Sequence, residues 1–211
     1  MTAMDPAVRR IVVAVTGASG AAYARRLIEC LLAGGAEVHL VVSPLGRRLF
    51  RDELAMEDVT AETLLGRVED RLTLHPYKDV GDPLASGSTR TSAMIICPCS
   101  QNTMAQVAAG MGDNLITRAA QVTIKERRRL IIVPREMPWS PIDLENAVRL
   151  SNAGAVICPA SPGFYMLPQR VEDLVDFVVG KLLDLVDVPH PLNTRWTDML
   201  DASAEGAEEG R

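Results

Sequence analysis

The chain has 211 residues and a formal charge of −5, enough for one α/β domain with a sizeable core. The acidic balance argues against bulk nucleic-acid binding, and no apolar run reaches the ~20 residues of a membrane span. Arg9-Arg10 ahead of the short run Ile11–Val15 makes a poor signal peptide, because a Gly turn follows at once.

Ile11–Val15 is rich in β-branched residues and reads as a buried strand. Thr16-Gly17-Ala18-Ser19-Gly20 is a tight turn. From Ala21 the spacing is helical, with Leu27, Ile28, Leu31 and Leu32 on one side. Strand, Gly-rich turn and helix open an open α/β nucleotide fold, whose helix N-terminus offers backbone N–H groups to a phosphate. A dinucleotide fits poorly. The turn has two glycines rather than three, and Tyr23 stands where a longer Gly fingerprint needs glycine. The second strand, Ala36–Val42, ends at Ser43, where a ribose-binding acid would be expected. A mononucleotide such as FMN fits better.

Farther along, Pro44–Leu54 and Val59–Leu65 read as helices, and His75–Ser92 as a Gly/Pro/Ser/Thr-rich loop. Ala93–Cys97 is a third strand, Ser100–Ala109 a helix, and Asn114–Arg127 a helix capped by Asn114 or Asp113. Leu130–Val133 is a fourth strand. Asp143–Ser151 is a helix with Ser140 as cap and Pro141 in its first turn. Ala155–Cys158 is a fifth strand and Val171–Val186 the last helix. Strands alternating with helices predict an open, mainly parallel, Rossmann-like (flavodoxin-like) sheet covered on both faces. Residues 1–196 form the domain, and 197–211 an acidic, disordered tail.

Cys30, Cys97, Cys99 and Cys158 lie in or beside apolar runs and read as reduced thiols of a cytoplasmic protein. Cys97-Pro98-Cys99 has neither zinc-knuckle nor redox spacing. His39, His75 and His190 stand far apart and form no metal pair, so no metal is expected. A 47% hydrophobic content with few aromatics points to buried subunit interfaces.

Ligands of such sheets bind beyond the C-terminal ends of the strands, so the residues after each strand enumerate the site. They are Gly17, Ala18 and Ser19; Ser43; Ser100, Gln101, Asn102 and Thr103; Arg135 and Glu136; and Pro159–Tyr165. Arg118 and Lys125, seven apart, share a helix face. Lys181 falls opposite the acids Glu172, Asp173 and Asp176 on the last helix, on the side of Leu174, Phe177 and Leu185, where it either snorkels or turns its ammonium inward into a pocket. The inventory is a phosphate site at the Gly turn and a second cluster of Lys125, Arg135 and Lys181 with Tyr165. Glu53 and Glu136 are available as acids. Two anionic ligands, or one diphosphate, are implied.

These residues resemble the flavin prenyltransferases of the UbiX type, over nearly the whole chain from Ile11 to Trp196. The resemblance rests on Thr16–Gly20, Ala85-Ser86-Gly87-Ser88, Cys97-Pro98-Cys99-Ser100 with Thr103, and Asn114-Leu115-Ile116 with Arg118. It continues through Lys125-Glu126-Arg127-Arg128, Val133-Pro134-Arg135-Glu136, and Pro159-Ala160 with Pro162-Gly163-Phe164-Tyr165. It implies FMN held by Gly17–Ser19, Ser43, Ser100–Thr103, Arg118 and Arg135. It implies dimethylallyl phosphate near Tyr165 and Lys181, with Lys125 and Arg135 close to its phosphate. The implied reaction joins a dimethylallyl group to N5 and C6 of reduced FMN without metal. Ser19, Glu53, Lys125 and Glu136 would be its catalytic residues. A homo-oligomer, a dodecamer with sites at subunit interfaces, and a partner decarboxylase that uses prenylated FMN are also implied.

Two positions depart from the family pattern. Val80, with Tyr77 nearby, stands where the family often has Trp, and Lys181 where it typically has Arg. Rival readings are weaker. An FMN-dependent cysteine decarboxylase would carry His in the loop before the third strand and Pro-x-Met-Asn after the fourth. This chain has Asp82–Ser88 without His, and Pro134-Arg135-Glu136-Met137. A non-catalytic FMN-binding interaction protein would not need Lys125, Arg135 and Glu136 together. A short-chain dehydrogenase would have Lys four residues after its Tyr, and neither Tyr77 nor Tyr165 does.

Overall fold

The computed structural model describes residues 8–192 and Thr194; Trp196 and the expected tail 197–211 lie outside the described residues. Its six strands are β1 (Arg10–Val15), β2 (Glu37–Val42), β3 (Leu72–His75), β4 (Ala93–Cys99), β5 (Arg129–Pro134) and β6 (Val156–Ile157). They form one sheet in the order β3-β2-β1-β4-β5-β6, and every pairing is parallel. Strand alternation divides the core in two. Ile11, Val13 and Val15 face one layer, and Val12 and Ala14 the other. A strand buried on both faces reads as a continuous apolar run, which is why Ile11–Val15 is so legible.

The first layer holds α1 (Ala21–Ala33), α2 (Pro44–Leu54), α3 (Ala61–Leu65) and α7 (Val171–Leu185). Leu27, Ile28 and Leu31 of α1 share this core with Val175, Val178, Val179 and Leu182 of α7. The Arg26 guanidinium donates to both carboxylate oxygens of Asp176, at 2.6 and 3.1 Å, across that contact. Fully buried Phe50 anchors α2, and Ser43 caps it by accepting from Gly46 N at 3.0 Å. The second layer holds α4 (Gln101–Ala108), α5 (Leu115–Lys125) and α6 (Pro141–Asn152) through Met104, Leu115, Ala119 and Leu150. Asn114 caps α5 and Ser140 caps α6, as their spacing predicts.

Three expectations need correction. The sheet has six strands, not five, because Leu72–His75 pairs with Val38–Val41. At four residues on a half-exposed sheet edge, that strand carries too short an apolar pattern to stand out. The last strand shrinks to Val156–Ile157. Finally, the histidines are not all apart. The same edge pairing brings His39 Nδ1 to 2.9 Å from His75 Nε2. Among the described residues no group of three or more His, Cys, Asp or Glu is arranged to hold a metal.

The chain leaves β1 toward β2 and β3, then returns to lay β4 on the other side of β1. The crevice between the turns after β1 and β4 is the topological switch point. Thr16 ties those two turns together. Its N–H and hydroxyl both donate to Pro98 O, at 3.2 and 3.0 Å, and its oxygen accepts from Ser100 N at 2.8 Å. The Thr16→Val variant keeps the volume but leaves the Ser100 N–H without its acceptor. We expect a loss of about 1–3 kcal/mol of stability, read as a lower urea midpoint at fixed protein concentration with little change in m-value.

Candidate active site

At the switch point two sets of backbone N–H groups face ligand space. Those of Gly17, Ala18 and Ser19 have no partner among the described residues, nor do those of Gln101 and Asn102 at the start of α4. Ser100 caps α4 by accepting from Thr103 N at 3.3 Å, and its hydroxyl donates to Thr103 Oγ1 at 3.1 Å. The side-chain amide of Gln101 is buried with neither its nitrogen nor its oxygen paired. Unspent donors at a helix start attract a phosphate, and an orphaned amide suits a heterocycle edge with donors and acceptors. The donor set therefore fits a flavin mononucleotide. The two glycines of the turn are also needed by the fold. A Cβ on Gly17 would lie 2.6 Å from Leu45 Cβ of α2, and Gly20 has φ +133°.

The start of α1 is not open as the sequence suggests. The Glu53 carboxylate, from the end of α2, accepts from Gly20 N at 3.0 Å and Ala21 N at 2.8 Å. An internal anion thus occupies this helix N-terminus, favoured by its dipole. A phosphate at this turn is left with the Gly17–Ser19 amides. Arg135, exposed after β5, spans the crevice with Nε donating to Ser19 O at 3.1 Å. Glu136 is exposed beside it, its Oε1 accepting from Met137 N at 3.1 Å, while Trp139 Nε1 donates to its carbonyl at 3.1 Å. Arg135 and Glu136 form no ion pair with each other, so both point their chemistry elsewhere.

Sequence reasoning missed two groups of this crevice. Thr16 stands in the Gly turn, and the signal for its tying role is a hydroxyl at the first position past a buried strand. Tyr23 was read as a missing glycine. Its half-buried ring lies under Gly20, and burial and the neighbouring Cys97 raise its phenol, partly offset by Arg135. Burial raises the thiols of Cys97 and Cys99 far above the ordinary value, which makes them inert lining.

The second cation cluster requires correction. Lys125 ends α5, which runs antiparallel to the strands, and β5 restarts at Arg129 opposite Ala93, the first residue of β4. The Gly turn and Ser100 lie at the other end of β4, about 20 Å away at strand rise. Lys125 therefore does not meet Arg135 within one chain. It pairs with Glu126 and abuts Gly87, where an added Cβ would lie 2.7 Å from Nζ. Arg118, two turns up the same face, is half-buried near Gly112. Lys181 is exposed, not inward, because α7 buries Val178, Val179, Leu182 and Leu183 instead. Its ammonium lowers the Cys158 thiol against the upward push of burial. Tyr165 packs edge-on against Phe177, one turn before Lys181, with ring centroids 5.5 Å apart. Val80 is exposed, and Tyr77 packs against the second core layer.

The chain matches a family model described as Flavoprotein over residues 2–183. It is 46% identical to the flavin prenyltransferase UbiX of Pseudomonas aeruginosa, over 89% of this chain and 93% of that one. It is 47% identical to the UbiX of Thermoplasma acidophilum, over 89% and 99%. A solved UbiX (PadA1) in complex with FMN and dimethylallyl pyrophosphate superposes with a TM-score of 0.82 at 40% identity, covering 90% of this chain and 97% of that one. A dodecameric FMN-dependent UbiX-like decarboxylase from Escherichia coli O157:H7 gives 0.81 at 38% identity, over 89% and 98%. The chain belongs to the flavoprotein family, in its flavin prenyltransferase (UbiX) branch.

Proposed function

We propose that the protein is a flavin prenyltransferase that moves the dimethylallyl group of dimethylallyl phosphate onto N5 and C6 of reduced FMN. The observation that carries this reading is the pair of unspent backbone N–H sets at the β1/β4 switch point, spanned by Arg135. Reduced FMN, when bound, supplies the electron-rich positions at which the prenyl carbons attach. The Gly17–Ser19, Gln101 and Asn102 amides, with the Ser43, Ser100 and Thr103 hydroxyls, hold its phosphate and polyol chain. Arg118 and Arg135 add positive charge, and the Gln101 amide meets the ring edge.

The allylic C–O bond breaks with its electron pair leaving on phosphate. Lys125, Arg135 and Lys181 are the cations that stabilise that charge, in a site where water is scarce. Tyr165 donates to the same phosphate, and its contact with Phe177 gives the prenyl group an apolar wall. Ser19 and Glu136, at the mouth of the crevice, are placed to move protons. Glu53 holds the Gly turn through Gly20 and Ala21, so it acts on protons only by loosening that cap. With Lys125 about 20 Å from the crevice of its own chain, the site is completed by Lys125 of a second copy, in a homo-oligomer. The product serves a partner decarboxylase, and the unpaired cysteines suit the reducing cytoplasm. Among the described residues no helix is long and apolar enough to cross a membrane. We read residues 1–196 as one domain and 197–211 as its acidic tail.

Mixing two inactive proteins tests the shared site. Lys125→Ala and Arg135→Ala should each abolish prenyl transfer, followed as the mass gain of the flavin. Co-assembled in equal amounts, they should regain about a quarter of parental activity, because one site in four draws Arg135 from the Lys125→Ala chain and Lys125 from the Arg135→Ala chain. No recovery despite mixed assembly would mean that both residues act in one chain.

Lys181→Ala should weaken dimethylallyl phosphate binding about tenfold or more while FMN affinity holds. Lys181→Arg should keep activity, since the guanidinium offers the same charge with a wider fork. Titration of FMN-loaded variants with the prenyl donor reads both, and an unchanged Lys181→Ala curve would remove the lysine from the site.

A further inference from the structure

A buried polar chain lies outside the crevice, on the β2–β3 edge. His75 Nδ1 is 2.7 Å from Asp82 Oδ2, and His75 Nε2 is 2.9 Å from His39 Nδ1. The side chains of His75 and Asp82 are 11% and 8% exposed. A carboxylate only accepts, so Nδ1–H of His75 donates to Asp82. Neutral His75 then offers Nε2 as an acceptor, and His39 donates its Nδ1–H. One further proton can enter at His39 Nε2 with the middle bond intact, or on His75 Nε2 with that bond reversed. A second sets two N–H groups face to face and breaks it.

Asp82 does more than end this chain. Its Oδ1 accepts from Leu84 N at 2.8 Å and so caps the 3-10 turn Pro83–Ala85. Thr89 Oγ1 donates to Pro83 O at 2.6 Å. Arg128 donates to Gly87 O at 2.7 Å and Thr89 O at 2.6 Å. The turn Ser86–Ser88 is therefore clasped between Asp82 and Arg128, with Gly87 against Lys125 and Glu126. A contiguous path of hydrogen bonds and close contacts runs from His39 to Lys125.

We propose that His39, His75 and Asp82 are positioning residues that hold the Ser86–Ser88 turn against Lys125, and that double protonation of the histidine pair releases it. The proposal rests on the reading of Lys125 as a ligand of the donor phosphate. The charges that face His39 are few. They are Glu37 on its own strand, paired with Arg10 of β1 at 2.6 Å, then His75 on β3 and Asp82 in the loop. Burial first, and then His75, lower the His39 value below its ordinary 6.5. A depressed folded value means that the stability of the neutral chain is complete above pH 6.5. It is lost as the pH falls from there through the folded value. His39→Asn keeps an N–H donor where Nδ1–H stood and cannot take up a proton.

The test is amide hydrogen exchange of the assembled, FMN-loaded protein at pH 8 and pH 5.5. Segment 76–92 is normalised to β1 of the same molecule, which cancels the intrinsic pH dependence. Relative protection of this segment should fall about tenfold in the parent at pH 5.5 and stay constant in His39→Asn. In His39→Phe, which leaves His75 Nε2 unpaired, it should be low at both pH values. In parallel, KM for dimethylallyl phosphate should rise severalfold more on acidification in the parent than in His39→Asn, with kcat and FMN affinity alike. The donor's own ionisation affects both proteins equally. Identical exchange in parent and His39→Asn at both pH values would overturn the release. Differing exchange with parallel KM profiles would overturn the positioning role. Failure of the donor-phosphate reading shows separately, as a Lys125→Ala variant with parental donor affinity.

Discussion

All six strands run in one direction, and this constraint governs everything else in the molecule. In a parallel sheet each strand must be followed by a crossover on one face, so every strand-to-helix turn lands on the same edge. The apolar runs have no freedom in this. Their residues are buried on both faces, which demands a helical layer above and below. Gly17–Ser19, Ser43, Ser100–Thr103 and Arg135 are thus collected from four distant places in the chain onto one edge. What remains local is the clip. Three hydrogen bonds to Thr16 set the spacing between the β1 and β4 turns, and with it the width of the crevice.

The same constraint separates Lys125 from Arg135 within one chain. A helix that returns antiparallel to the strands delivers its last residues to the opposite edge. Lys125 is carried there by α5, in company with the loop before β4. The proposed role of Lys125 beside Arg135 therefore calls on the opposite strand end of a second copy. Ile142, Leu144 and Val148 on α6 and Met137 beside Glu136 are exposed apolar surface, of the kind an assembly covers. The 47% hydrophobic content of the chain has its physical outlet in such contacts.

Anion binding at the crevice is shaped by competition for backbone donors. Glu53 takes the two amides that the α1 terminus would otherwise offer, and Ser100 takes only one from α4. The donors left without a partner among the described residues are those of Gly17–Ser19 and Gln101–Asn102, to which the proposed function assigns the phosphate. Substituting for a side chain already on a helix terminus would cost the ligand the interaction that Glu53 makes.

The sequence by itself determined the parallel α/β class, the order of most elements and the identity of the turns at the ligand edge. Each of these is written in local periodicity: doubly buried strands, amphipathic helices, and caps such as Asn114 and Ser140. The resemblance of its motifs, among them Thr16–Gly20, Cys97–Ser100 with Thr103 and Val133–Glu136, also sufficed for the family. Tertiary structure alone decided what depends on register and on direction through space. The edge strand Leu72–His75 exists only because β2 is there to pair with it, and that pairing makes partners of His39 and His75. Lys181 shares its helical face with the half-buried Leu174 and Phe177, yet is itself exposed, because α7 buries Val175, Val178, Val179 and Leu182 instead. Glu53 reaches Gly20 across 33 residues because α2 folds back on the Gly turn. Lys125 and Arg135 are ten positions apart in the chain and lie toward opposite ends of the strands, since the helix and strand around them run in opposite senses.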